Sequence, residues 1–348
     1  MIAEFDALTL SIAWLRPQFM KRKAITICFC TLMATLAGAD ETPALPGADA
    51  TDVPNVMDEV VVTGEWPGPQ MWKISKGDHV VWILGTLQPL PKDMIWKQTE
   101  LDQVLMQSQQ VIGRTSVKPK VSIFGMLPLY LQFRKVSKLP GDQTLKDLLP
   151  QELYGRYRAL MARHNIHDND IEKLRPLIAA GRLYQDVIEA NGLTGKNDVQ
   201  EAVIKLANHR DIPVNDITIK VEEPREVLKD VAKVPPEGEI ACFADVVAGL
   251  ESELPLLKKR ASSWARGDVD ALRKLVATQV RTACRDAMMS VQRVKAVSDH
   301  AKSSWYNAIT ESLDRHKSAV ALSPVYDLIG KDGALDQLRA AGYQVEGP

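Results

Sequence analysis

One stretch decides the fold of this chain: Val80-Val81-Trp82-Ile83-Leu84-Gly85-Thr86-Leu87-Gln88. Its first five residues are all apolar, without polar residues between them, a pattern typical of a strand that is buried on both faces. Gly77 and Asp78 favour a turn just before it, and Met71 to Ser75 form another short strand pattern. The sequence therefore predicts a β-hairpin whose second strand, His79 to Leu84, lies at the centre of a sheet.

The patterns further along the chain predict the fold class. A helical period covers Thr99 to Gln109, and Gln110 to Gly113 again has strand character, so strand, helix and strand suggest a βαβ unit. From about residue 122 to 315 the pattern is mainly helical. Strand patterns return at Ser318 to Leu322 and Tyr343 to Val345. We therefore predict an α/β fold with a central mixed β-sheet, built from N- and C-terminal strands, and a large helical insertion.

The predicted domain covers residues 58–348, with the helical insertion at about 122–315. Inside the insertion, Ile123 to Phe133 is strongly apolar. It is too short for the roughly 20 residues that a membrane-spanning helix needs. This segment predicts a buried helix or the wall of a groove.

The N-terminal 39 residues have the layout of a secretory signal. A basic cluster at 21–23 precedes an apolar run at 24–36, and small residues at 37–39 resemble a cleavage site. We expect the mature chain to begin near Asp40 and to be periplasmic or secreted, with no membrane span. The alternative is an uncleaved N-terminal anchor. Because a methionine stands directly before the basic cluster, residues 1–19 are interpreted as an upstream mis-called start.

The expected mature chain carries 39 Lys and Arg against 42 Asp and Glu, a net charge of −3. No excess of positive charge attracts nucleic acid, so we expect no nucleic-acid partner. Residues 40–57 have no periodicity and predict a flexible leader, followed by a short strand at Glu59 to Thr63. Two cysteines remain, Cys242 and Cys284. In an oxidising compartment they are candidates for one disulfide, and the alternative is two buried thiols.

Three pieces of the sequence, in order and spacing, carry a resemblance to one family. They are Trp72-Lys73 through Gly85-Thr86 to Trp96, Trp264-Ala265-Arg266-Gly267-Asp268 with Leu272, and Gly330-Lys331-Asp332-Gly333 with Leu335, Leu338, Gly342, Tyr343 and Val345. From about Trp72 to Val345 the chain resembles the TraB/GumN family, whose relatives include Tiki-type metallopeptidases. The resemblance implies a site where two Gly-x-x-His motifs and a glutamate hold a divalent metal, which activates a bound water.

This sequence departs from the implied ligand set. Gln88 stands at the first histidine position, Arg114 on or near the glutamate position, and Asp327 at the second histidine position. An amide, a guanidinium and one carboxylate bind a transition metal poorly, and the fixed positive charge opposes a cation. We therefore predict a degenerate site with no metal and no cofactor, in a cleft that Gly85 and Thr86 also line. The predicted function is a non-catalytic binding or scaffolding module for a peptide or an anionic glycan.

Two other interpretations accompany this one. The chain could be a metal-dependent peptidase or esterase whose rearranged ligands include Gln88, Asp327 and a carboxylate of the insertion. Alternatively, Arg114 pairs with Asp327 in the former metal space, with Gln88 hydrogen-bonded to the pair. His164 and His167 look like a metal cluster, but the polar residues around them favour a turn. The sequence has no Gly-x-Ser-x-Gly and no His-Glu-x-x-His motif.

Overall fold

A computed structural model describes residues 66–196, 198–277, 282–330 and 332–348. The predicted signal, the leader and the strand at Glu59 to Thr63 lie outside these residues. In the part of the chain that the structure describes, no helix is both long and apolar enough to cross a membrane.

The described residues form ten strands and thirteen α-helices, numbered here in chain order. The strands are β1 (Met71–Lys76), β2 (His79–Thr86), β3 (Leu90–Pro91), β4 (Val111–Ile112), β5 (Ser116–Pro119), β6 (Leu193–Thr194), β7 (Val214–Asn215), β8 (Thr218–Val221), β9 (Ser318–Pro324) and β10 (Gln344–Glu346). The helices are α1 (Thr99–Met106), α2 (Ile123–Val136), α3 (Leu145–Leu148), α4 (Gln151–Arg163), α5 (Pro176–Ala190), α6 (Asp198–His209), α7 (Pro224–Val231), α8 (Pro236–Ala265), α9 (Val269–Ala277), α10 (Ala283–Met289), α11 (Gln292–Arg315), α12 (Val325–Ile329) and α13 (Ala334–Ala340).

Six strands form the central mixed sheet in the order β10-β1-β2-β9-β4-β7. β1 is antiparallel to both β10 and β2, and the pairs β2-β9, β9-β4 and β4-β7 are parallel. The predicted hairpin is confirmed, with Ile74 opposite Val81 and with Gly77 at φ 61° in its turn, a conformation that glycine adopts without strain. The predicted α/β fold class is confirmed as well.

The order of the strands differs from the predicted βαβ unit in one respect. β2 and β4 are not neighbours, because β9, from near the C-terminus, lies between them and pairs with both. β7 also joins the sheet although it comes from the middle of the chain. The central sheet is therefore completed by pairings between segments that lie far apart in the sequence.

The buried apolar side chains form two cores. One lies on the central sheet and includes Ile83 and Val320, which are fully buried. The other is helical, formed mainly by α4, α5, α8 and α10, with Tyr157 and Phe243 at its centre. A disulfide joins Cys242 of α8 to Cys284 of α10. It ties two helices of the second core together.

Helix α2 is not the buried helix that its apolar sequence predicts. Ile123 is 88% exposed and Phe124 is 92% exposed, and Leu127 and Leu131 are exposed on the same side. Leu129, in contrast, is 3% exposed and lines a cavity on the opposite side of the helix. The other predicted role, the wall of a groove, thus describes the inner face of α2.

Candidate functional site

The three positions predicted for the site lie at one edge of the central sheet. Gln88 comes two residues after β2, Arg114 comes two residues after β4, and Asp327 lies in α12, directly after β9. These three strands are parallel neighbours, and their register is close, because Thr86 lies opposite Pro324 and Ile112 opposite Ala321. The structure therefore brings the predicted residues to the carboxyl edge of the sheet, where ligands bind in open α/β folds.

Each of these side chains is partly buried and engaged. Gln88 Nε2 donates to the carbonyl oxygen of Lys196 at 3.0 Å. Gln88, Arg114 and Asp327 all take part in further interactions, so none of the three is a free polar group. The peptide bond between Gln88 and Pro89 is cis. The ion pair between Arg114 and Asp327 stays a prediction.

A further carboxylate lies at this edge. Asp216 directly follows β7, the sheet neighbour of β4. Its Oδ1 is so close to Gly113 that a Cβ on Gly113 would be 2.1 Å away. Only glycine therefore allows this approach, which brings a negative charge beside the residue that precedes Arg114. Sequence reasoning missed Asp216, although a polar residue just after a strand is a usable signal.

Gly85, predicted to line the cleft, has a packing role. A Cβ on Gly85 would lie 3.0 Å from Trp72 Cζ3 and 3.2 Å from Val325 Cγ2, tighter than ordinary contact. Its carbonyl oxygen accepts a 2.7 Å hydrogen bond from Trp264 Nε1. Thr86 is partly buried, and its Oγ1 donates to the carbonyl oxygen of Ser323 at 3.3 Å. Because Gly85 has no side chain, Trp72, Trp264 and α12 can all pack against the end of β2.

The same contacts join the three pieces of sequence that carry the family resemblance. Trp264 of the second piece bonds to Gly85 of the first and packs edge-on against Trp96 at 5.7 Å between ring centroids. Asp268 caps α9, because its Oδ1 accepts from the backbone N–H of Ala271 at 3.0 Å. Val345 pairs with Ile74 across β10 and β1. The second piece therefore supports the carboxyl end of β2, and the third piece completes the sheet beside β1.

The donors at this edge do not suit a divalent transition metal. Zinc sites use thiolates, imidazoles and carboxylates, whereas this edge combines the Gln88 amide and the Arg114 guanidinium with the carboxylates of Asp216 and Asp327. Nowhere in the described residues do three or more His, Cys, Asp or Glu side chains form a group that could hold a metal ion. A degenerate metal site at this edge stays a prediction.

His164 and His167 adopt the polar turn that was predicted for them. Asn191 Nδ2 donates to His164 Nδ1 at 3.0 Å, and burial lowers the pKa of His164. His167 Nε2 lies 2.9 Å from Asn165 Oδ1. Both imidazoles thus have hydrogen-bond partners within the turn and its neighbouring helix, and they do not face a common centre with other metal ligands.

The class of this protein follows from the family comparison. The TraB/PrgY/gumN family model matches residues 70–347, which span the sheet, both cores and the carboxyl edge. The chain belongs to the TraB/PrgY/gumN family, and the predicted resemblance is confirmed. No curated protein and no solved structure matches this chain.

Proposed function

We propose that this member of the TraB/PrgY/gumN family is an exported, non-catalytic binding protein, whose ligand is a peptide carboxylate or an anionic glycan. The observation that carries the proposal is the meeting of Gln88, Arg114 and Asp327 at the carboxyl edge of three parallel strands. A guanidinium has five N–H donors in a planar fork. Arg114 can therefore bind a carboxylate through two parallel hydrogen bonds while it keeps a contact within the protein.

The chemistry of the edge favours binding over hydrolysis. A metal-dependent peptidase needs ligands that fix the ion and leave one position open for an activated water. Here the guanidinium of Arg114 stands near the glutamate position, and a fixed positive charge opposes a cation. The same charge attracts a carboxylate, and the amide of Gln88 supplies a neutral hydrogen-bonding group at the same edge of the sheet. We therefore expect binding of an anionic ligand to depend on Arg114, while the carboxylates of Asp216 and Asp327 at the same edge oppose an anion.

Two independent features support export. The layout of residues 20–39 is that of a secretory signal. The disulfide between Cys242 and Cys284 is of a kind that persists in oxidising compartments such as the bacterial periplasm. N-terminal sequencing of the protein recovered from a periplasmic extract should give a start near Asp40. A full-length chain retained in the cytosolic fraction would contradict export.

Calorimetric titration with matched peptides tests the ligand class. One peptide ends in a free carboxylate, and the other has the same sequence and an amidated terminus; an anionic oligosaccharide is titrated in parallel. Hydrogen bonds to a charged group are worth about 1.5–3 kcal/mol, so Arg114→Ala should weaken binding of an anionic ligand by roughly 10- to 150-fold. Arg134→Ala, which removes an exposed arginine from α2, is the matched control. Equal binding of both peptides, or unchanged binding of every probe in Arg114→Ala, would refute the proposed role of the arginine.

Metal analysis separates this proposal from the peptidase or esterase alternative. The chain is purified without chelators, and its zinc, manganese and cobalt content is measured by elemental analysis. We expect a ratio of metal to protein far below one. A stoichiometric metal that is lost in Asp327→Ala and Gln88→Ala would support the metal-dependent enzyme instead.

A further inference from the structure

A second candidate site lies away from the carboxyl edge, in a cavity between α2 and α7. The cavity has a volume of about 100 Å³, and almost all of its lining is apolar. Its apolar wall includes Leu129, Phe133, Leu177, Val227, Leu228 and Val231. We call it the α2-α7 cavity. None of Gln88, Arg114 and Asp327 lines it, so it is distinct from the site described above.

The α2-α7 cavity has one polar end, formed by Arg175 and Glu239. Glu239 is 2% exposed and forms an ion pair with Arg175, whose side chain is 17% exposed. Arg175 Nη2 also donates to the carbonyl oxygen of Val234 at 3.3 Å. Both of these bonds use Nη2, and a guanidinium has five N–H donors. Arg175 therefore has donors on Nε and Nη1 beyond those that these two bonds use.

The ion pair is a costly feature for the fold alone. Charges taken out of water lose hydration, and a buried pair often stabilises a protein no more than apolar side chains of similar size. Burial raises the pKa of Glu239, while the charge of Arg175 beside it opposes the rise. Glu239 also accepts from the backbone N–H of Leu177 at 3.5 Å, at the start of α5. One charged pair is thus held in place at the base of an otherwise apolar cavity.

The wall that α2 forms contains a helix turn that lacks one regular backbone hydrogen bond. Pro128 lies inside α2, and because proline has no N–H, the carbonyl of Phe124 lacks its regular helical donor. The outer face of this turn carries the exposed Phe124 and Leu127, while the inner face carries Leu129. An apolar molecule that approaches α2 from solvent therefore meets apolar side chains on both sides of the wall.

We infer that the α2-α7 cavity binds a small amphiphile, with a short acyl chain against Leu129, Phe133 and Val227 and a carboxylate accepting from Arg175. An apolar cavity of about 150 Å³ accommodates a benzene-sized molecule. The smaller cavity here holds part of an acyl chain, and the remainder extends along α2. A carboxylate head group matches the donors of Arg175, and charge-assisted hydrogen bonds of this kind are the stronger ones.

Calorimetric titration of the full chain with octanoate, below the concentration at which it forms micelles, tests this site. We expect one saturable site for each chain, with octanol at least tenfold weaker than octanoate. Val227→Phe and, from the opposite wall, Val136→Phe fill the cavity and should each weaken octanoate binding at least tenfold. Leu131→Ser changes the exposed face of α2, outside the cavity lining, and should leave octanoate binding unchanged.

The head group is tested by removing both charges together. Arg175→Met combined with Glu239→Gln leaves no unpaired buried charge, and its fold is checked by circular dichroism. This double variant should bind octanoate and octanol with equal affinity. Octanoate binding that is absent from the unaltered chain, or that persists in folded Val227→Phe and Val136→Phe, overturns the site. A preference for octanoate that survives in the double variant overturns the role of Arg175.

Discussion

Replacement of Trp264 by phenylalanine tests how the carboxyl edge is supported. Trp264 is 2% exposed, and its Nε1 donates to the carbonyl oxygen of Gly85 at 2.7 Å. Phenylalanine fills most of the same space but has no donor, so a buried carbonyl loses this partner. An unsatisfied buried group costs about 1–3 kcal/mol. We therefore expect Trp264→Phe to lower the free energy of unfolding by that amount in addition to the effect of the smaller ring.

The effect of the smaller ring is measured by a matched substitution. Trp82 lies on the same strand as Gly85 and is partly buried, so Trp82→Phe changes an indole to a phenyl ring without removing the bond to Gly85. Urea unfolding under non-reducing conditions, followed by circular dichroism, gives the free energy of unfolding of each variant. Trp264→Phe should be less stable than Trp82→Phe by about 1–3 kcal/mol. A difference within about 0.5 kcal/mol, the range of neutral substitutions, would refute the reasoning.

Gly85→Ala should destabilise the fold by about 1–3 kcal/mol through overpacking. Gly155 lies on a helix, and no atom lies within 4 Å of an added Cβ, so Gly155→Ala should stabilise the fold by about 0.5–1 kcal/mol. Calorimetric melting measures the direction of both changes. Replacement of Cys242 and Cys284 together by alanine should cost about 2–4 kcal/mol and should abolish any effect of a reductant on urea unfolding. Burial raises the pKa of Glu239 above its ordinary value of 4.5, so the folded chain binds this proton more tightly than the unfolded chain does. The contribution of Glu239 to stability is therefore greatest below pH 4.5 and falls as pH rises through the folded-state pKa. As pH rises above about 4.5, the unaltered chain should therefore lose more stability than Glu239→Gln; equal slopes in urea unfolding would contradict the shift.

Local patterns in the sequence predicted the individual elements well. The hairpin of β1 and β2 combines a glycine turn with two apolar runs, and both signals depend only on neighbouring residues. The position of β9 between β2 and β4 could not be predicted in this way. Three parallel apolar strands have no local feature that specifies their order, which depends on pairing between distant segments.

The buried face of helix α2 could not be predicted from the sequence for a different reason. Its sequence is apolar around almost the whole circumference of the helix, so the spacing of hydrophobic residues does not show which face is buried against the rest of the protein. The structure covers the side of Leu129 and leaves Ile123 and Phe124 exposed. The exposure of a helix depends on which other segments reach it, and those segments lie far away in the chain.

The candidate site was predictable in part. The meeting of Gln88, Arg114 and Asp327 at one edge followed from the family resemblance, since strand ends define the motif positions. The pair of Arg175 and Glu239 was missed, because the two residues lie on different segments and neither belongs to a recognisable motif. Such pairs become visible only when packing brings their segments together.

The position of β9 has a consequence for the synthesis of this chain. Until residues 318–324 are available, β2 can pair with β1 but lacks the parallel strand on its other side. An unpaired strand edge with side chains such as Val81 and Ile83 is a template for wrong association between nascent chains. A premature stop codon before Ser318 should therefore yield an aggregating fragment instead of a smaller stable domain, and the growing polypeptide should depend on a holding chaperone until its last segment emerges.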